Sequence, residues 1–154
     1  MSPRAQAPTR PPVLTDAGRS WTQDRLKRAE ARLAQVIAEL DQEHSDPLAQ
    51  EREQLRAQVN ELSTLLRHAV APADIRDDPT VVELGDEVEV EFPDGSHETL
   101  LIVHPFEAGM DEHRSSSESP LAQAILGGRP GDRVTVRAPG GVYSCTIVRR
   151  ARID

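Results

Sequence analysis

Three carboxylates, Asp41, Glu43 and Asp46, fall within a few residues of one another in a chain of 154. Glu39, Glu51 and Glu53 flank them, and Arg52 is the single Lys or Arg in that stretch. Acidic side chains this dense are either solvated turn residues or a charge held out for a partner. What separates the two is the stiffness of the support, because rigid elements position charge and loose ones do not. No other grouping offers chemistry of its own. His68, His97, His104 and His113 show neither metal-ligand spacing nor a partner nucleophile, and they read as surface or strand residues. The lone Cys145 cannot form an internal disulfide or a thiolate metal cage, and it reads as a small buried hydrophobe. A glycine-rich phosphate loop, a Ser-His-Asp set and a zinc signature are all missing from the sequence.

The support for the carboxylates is written on both sides of them. Leu26, Leu33 and Leu40 repeat every seven residues, with Ala29, Val36 and Ile37 between them. After the break at residues 41–47, a second ladder runs Leu48, Leu55, Leu62 and Ala69, supported by Val59 and Leu66. Apolar stripes at heptad spacing must be covered, and two helices joined by a short turn cover each other. The spacing predicts a first helix from Ser20, as N-cap, to about Asp41. Asp46 is expected to cap a second helix with Pro47 at its first position, and that helix to run to about Val70. Each arm is then about 33 Å long. Trp21 is expected to pack the base of the hairpin against the rest of the chain, and the basic cluster Arg19, Arg25, Lys27, Arg28 and Arg32 reads as a solvated outer face.

Composition excludes several functions. The formal charge of −8 argues against a general duplex-DNA binder, which needs a basic footprint to displace counterions. Trp21, Phe92, Phe106 and Tyr143 are the only aromatics, too few to wall a large pocket. No segment approaches the roughly 20 apolar residues that span a bilayer, and the proline-rich start lacks the apolar stretch of a signal peptide. A cytoplasmic monomer that makes no membrane contact is the expectation.

The domain reading is residues 1–18 as a disordered tail, 19–70 as the hairpin, 71–80 as a linker and 81–154 as a second domain. From Val81 the apolar period changes to two: Val88, Val90 and Phe92 alternate with Glu87, Glu89 and Glu91. Pro93-Asp94-Gly95 turns the chain into a strand at residues 99–103, and a polar loop at 107–119 precedes a short helix at about Leu121 to Leu126. Two further strands surround the Pro139-Gly140-Gly141 turn. The fold class is α+β: an antiparallel helical hairpin followed by a small sheet domain of four strands and one short helix.

Ser119-Pro120-Leu121-Ala122-Gln123-Ala124-Ile125-Leu126-Gly127, then Pro130-Gly131-Asp132-Arg133-Val134 and Ala138-Pro139-Gly140-Gly141, resemble the C-terminal domain of the GreA/GreB transcription elongation factors. Those proteins carry Ser-Pro-Ile-Ala-Arg-Ala-Leu-Ile-Gly, a Gly-Asp before a strand and a Pro-Gly-Gly turn in the same order. The resemblance covers about residues 20–153, and Val103-His104-Pro105 with the short coiled coil is similar to the related Rnk proteins. It implies an FKBP-like C-terminal domain that docks at the rim of the secondary channel of bacterial RNA polymerase through Ser119, Pro120, Leu121, Ala122 and Gln123. It also implies a hairpin that enters the channel toward the transcript RNA.

In Gre factors two acidic tip residues help hold an active-site Mg²⁺ that activates water for cleavage of backtracked RNA. Mg²⁺ takes hard oxygen ligands, which suits carboxylates. On this resemblance Asp41, Glu43 and Asp46 are the metal-contacting candidates, toward the polymerase's Mg²⁺ and not toward a cofactor of the chain's own. The family tip reads Gly-Asp-x-x-Glu-Asn. Here Asp41 matches the Asp, Leu40 replaces the Gly, His44 stands at the Glu, Glu43 lies one residue off, and Ser45 replaces the Asn. The expectation is a polymerase-binding regulator that is no enzyme and lacks efficient cleavage; the alternative is an active cleavage factor. Prolyl isomerisation, by fold analogy alone, and a plain coiled-coil adaptor are the remaining readings.

Overall fold

The structure, a computed structural model, describes residues 10–152. The chain order is α1 (Asp16–Gln42), α2 (Asp46–His68), a 3-10 turn at Pro72–Asp74, β1 (Asp86–Glu91), β2 (His97–Val103), a 3-10 turn at Glu107–Gly109, β3 (Arg114–Ser116), α3 (Pro120–Ile125), β4 (Arg133–Ala138) and β5 (Gly141–Arg152). The α+β architecture is as expected, but three local features differ from the sequence reading.

The first helix begins four residues before Ser20. Thr15 is its N-cap, extended at φ −68° and ψ 166°, and its hydroxyl accepts from Gly18 N at 3.0 Å. Of the tail expected over residues 1–18, residues 1–9 lie outside the described residues. Residues 10–18 do not behave as a tail: Val13 and Leu14 are buried, and Val13 bridges Val70 at the far end of α2. Leu14 N donates to Val70 O at 3.0 Å and Val70 N to Pro12 O at 2.9 Å, so both feet of the hairpin are stitched together.

The second difference is the cap of α2. Ser45 occupies the capping position without a side-chain hydrogen bond, and Asp46 is already helical. Asp46 is therefore the first helical residue with Pro47 behind it, and its carboxylate is not engaged in a cap.

The two helices run antiparallel, early residues of α1 meeting late residues of α2. Arg19 reaches the carbonyls of Leu66 and Ala69 at 3.5 and 2.9 Å, covering acceptors that the end of α2 leaves open. Further along, Arg32 meets Glu51. Ala29, Val36 and Leu62 are fully buried between them, while Leu26, Leu33, Leu40 and Leu55 are only half-covered, as a two-helix ribbon requires.

The third difference is in the sheet, which has five strands in the order β3-β2-β1-β5-β4. Strand β3 lies parallel to β2 within the stretch read as a polar loop, pairing Ile102 with Ser115. Its three residues, Arg114, Ser115 and Ser116, carry no apolar alternation to reveal it. Elsewhere the pairing is antiparallel, with a register shift between Glu89 and Val90 where β1 meets β5. Val88, Val90, Leu100, Ile102, Val136, Cys145 and Ile147 form one buried face, on which Ala122 and Ile125 of α3 pack. Cys145 is thus a small core residue, and burial raises its thiol pKa. The Pro93–Gly95 turn closes with Phe92 N donating to Ser96 O at 2.8 Å, and Gly95 takes the φ of 85° that side chains resist.

Candidate functional site

At the hairpin tip, α1 runs through Asp41 to Gln42, and Glu43 is its C-cap, with its N–H on Glu39 O at 2.9 Å. Asp41, Glu43, His44 and Asp46 are all exposed. His44 Nε2 stands 3.7 Å from Asp46 Oδ1, with these side chains 81% and 92% accessible, so that contact is loose and solvated. The last turn of α1 holds no basic residue, so Asp41 and Glu43 sit at the negative end of the helix dipole, while Glu39 reaches back to Arg32 at 3.8 Å. Among the described residues no group of three or more His, Cys, Asp or Glu side chains is arranged to hold a metal.

The base of the hairpin is built differently. Trp21 stacks tilted against Phe106 of the sheet domain, centroids 5.1 Å apart, in keeping with the role expected for it. Arg25 lies 5.0 Å over Trp21 and 5.4 Å over Phe106. Of the basic cluster read as a solvated face, Arg19, Arg25 and Arg32 therefore have structural partners. From Trp21 to Asp41 the helix rises about 30 Å, which separates the acidic tip from the base contacts. No helix among the described residues is long and apolar enough to cross a membrane.

The expected docking segment forms the start of α3. Ser119 is the N-cap, its hydroxyl accepting from Ala122 N at 3.2 Å and lying 3.1 Å from Ser115 Oγ. Pro120 and Gln123 are exposed and Leu121 is half-buried, whereas Ala122 is fully buried in the core and offers no side chain to a partner. Gln123 Nε2 donates to Ser117 O at 2.6 Å, which ties the preceding serine loop to the helix.

Sequence reasoning passed over Glu107. Its carboxylate is fully buried, accepts from Thr15 N at 3.1 Å, from the Thr15 hydroxyl and from Arg114 Nε at 3.3 Å, and so joins the first turn of α1 to the sheet domain. The Thr15-Asp16 start was a legible capping signal. Nothing around Glu107 marked it out from other acidic loop residues.

A family model described as "Transcription elongation factor, GreA/GreB, C-term" matches residues 77–149. The chain is 38% identical over 104 residues to transcription elongation factor GreA of Geobacillus kaustophilus, covering 67% of this chain and 66% of that protein. It is 37% identical over 97 residues to the GreA of Oceanobacillus iheyensis, covering 62% and 61%. The matches thus span slightly under two thirds of these relatives' length. Among solved structures, GreA factor homolog 1 (Gfh1) of Thermus thermophilus aligns over 92% of this chain and 99% of that one, with 29% identity and a TM-score of 0.41. One expectation is corrected here. The expectation of an accessory regulator that is no enzyme, with cleavage stimulation left open, gives way because these relatives bear the name of GreA, to which the resemblance attaches assistance to transcript cleavage. With the motif-bearing helix α3, the family model and the GreA relatives in agreement, the chain belongs to the GreA/GreB transcription elongation factor family.

Proposed function

We propose that this chain is a transcription elongation factor that binds bacterial RNA polymerase at the rim of the secondary channel and extends its hairpin into the channel, toward the transcript RNA. The exposed face of the α3 segment (Ser119, Pro120, Leu121 and Gln123) makes the docking contact, and the factor works as a cytoplasmic monomer. The observation that carries this reading is the cluster of exposed carboxylates at the far end of a helical hairpin, about 30 Å from the contacts that fix its base. A loop could carry the same charge; a stitched pair of helices also fixes where it is delivered.

Asp41, Glu43 and Asp46 are the groups offered to the polymerase's Mg²⁺, which when bound would supply an activated water. The family's spacing places two carboxylates three residues apart, whereas here His44 fills the second of those positions. Imidazole is a poor ligand for Mg²⁺, so cleavage is stimulated less efficiently than by a tip with the family pattern. Full cleavage activity is the second reading. Its support is Asp46, whose side chain is free of the cap and accessible.

Backtracked elongation complexes test both readings. The first expects polymerase binding that competes with a Gre factor of standard tip, with slow shortening of the transcript that His44→Glu accelerates. Absence of binding at saturating protein would remove the channel reading altogether. Shortening as fast as with the standard factor would favour the second.

A further inference from the structure

Glu107 is fully buried, and polar groups surround its carboxyl. Three donors converge on its two oxygens: the backbone N–H of Thr15, the hydroxyl of Thr15 and Nε of Arg114, whose guanidinium also meets Asp111. A carboxylate has two acceptor oxygens and no proton to donate, which matches that set. The approach on the α1 side leaves no slack. A Cβ placed on Gly18 would come within 2.3 Å of Glu107 Cδ and of one of its oxygens. Gly18 is helical with an ordinary φ, so its lack of a side chain serves this contact and not the backbone. Thr15 at the same time caps α1 through Gly18 N and neighbours Leu14, which is bonded to Val70 at the other foot. The residue that Glu107 grips therefore caps α1 and adjoins the backbone pairing of Leu14 with Val70, just past the end of α2.

We propose that Glu107 is a positioning residue: by gripping Thr15 against Gly18 it sets the direction in which the hairpin leaves the sheet domain, and hence where the tip is delivered. Trp21 on Phe106 and the Arg25 guanidinium supply area alongside it, but ring contacts tolerate sliding in a way that a three-donor carboxylate site does not. The orientation itself needs nothing but this chain; its consequence for tip delivery rests on the polymerase reading above.

The test is a spin-label distance in the full chain without polymerase. Labels go on cysteines introduced at the exposed positions Ala38 and Glu98, in a Cys145→Ala background. The parent should give one narrow distance. Glu107→Gln turns one acceptor into a donor that faces donors. Gly18→Ala drives a methyl into the carboxylate from the other side while favouring the helix itself. Each should raise a second, displaced population by about tenfold or more. Thr15→Ser, which keeps the hydroxyl, should give the single narrow distance of the parent. In unlabelled versions with native Cys145, thiol protection should stay as in the parent, separating reorientation from unfolding. Unchanged distances in both Glu107→Gln and Gly18→Ala would overturn the proposal. So would broadening that appears only together with an exposed Cys145. A polymerase arm follows: Gly18→Ala should still bind polymerase while tip-dependent cleavage falls. Loss of the polymerase reading would leave the distance result standing.

Discussion

Arg32 of α1 and Glu51 of α2 clasp the hairpin midway along its length, Nε on Oε1 at 2.7 Å and the second guanidinium nitrogen on Oε2 at 3.0 Å. Glu39 adds a third, longer contact to Arg32 at 3.8 Å. Both partners are substantially accessible, so the pair is screened and its value lies mainly in geometry and register. Arg32→Ala and Glu51→Ala should each lower Tm by roughly 1–3 °C, and their coupling in a double-mutant cycle should shrink as salt rises. The hydrogen bond from Arg32 holds the Glu51 carboxyl below its ordinary pKa of 4.5. A depressed carboxyl contributes stability above its unfolded value and loses it as pH falls through the folded one. The coupling should therefore be full at pH 6 and fade below about 4.5, a window that thermal melts of the cycle will read.

His104 carries the opposite kind of pH dependence. Burial pushes its imidazole below the ordinary value of 6.5, against the pull of Glu118 and Glu107. Its Nδ1 accepts from Phe106 N at 3.1 Å, which requires that nitrogen to be unprotonated. A histidine depressed in the folded state lets the unfolded chain bind more protons. Its contribution is complete above 6.5 and is lost as pH falls below it. An NMR titration should place the His104 midpoint under 6.5, and His104→Gln should flatten the fall in stability between pH 6.5 and 5. A midpoint above 6.5 would contradict this account.

The α3 segment sets buried and exposed positions side by side within four residues. Ile125 and Ala122 are fully buried, whereas Gln123 is exposed. Ile125→Ala should cost about 2–4 kcal/mol through the cavity it leaves. Ala122→Leu should cost about 1–3 kcal/mol by overpacking. Gln123→Arg, which installs the residue of the family motif, should move stability by no more than about 0.5 kcal/mol. If the α3 face docks as proposed, that last variant raises polymerase affinity in a pull-down titration while its melting curve stays put.

Strongly periodic elements were legible. Leu26, Leu33, Leu40, Leu55 and Leu62 announced the hairpin, and the alternation of Val88 and Val90 with glutamates announced β1, because burial of one face leaves a period in the sequence. What escaped was structure held by polar or solitary contacts. Strand β3 is a run of Arg114, Ser115 and Ser116 recruited by backbone pairing to β2. Residues 10–18 looked tail-like from their prolines, but Val13 and Leu14 are buried at the hairpin feet, a tertiary fact with no local pattern. The cap of α2 was placed one residue late at Asp46 because Asp and Ser are near-equal N-caps. At the candidate site the tip carboxylates were visible as a charge cluster. Glu107 was not, since its partner Thr15 lies 92 residues away.

The tip offers the sharpest separation between function and stability. Asp41 sits in the last turn of α1 and Glu43 at its cap, where the helix dipole disfavours negative charge and the turn holds no basic residue. Removing those charges with Asp41→Asn and Glu43→Gln should leave Tm unchanged or slightly raised, because among the described residues neither carboxylate makes a hydrogen bond or ion pair, and the cap from Glu43 N to Glu39 O uses backbone alone. Under the channel reading the same variant should bind polymerase with unaltered affinity, while residual transcript shortening drops at least about tenfold for the loss of oxygen ligands. A clear fall in Tm would mean that the carboxylates serve the fold after all. Undiminished cleavage would remove them from the site. Charge that is destabilising where it stands, on an element otherwise built for rigidity, is the pattern expected of residues kept for a partner.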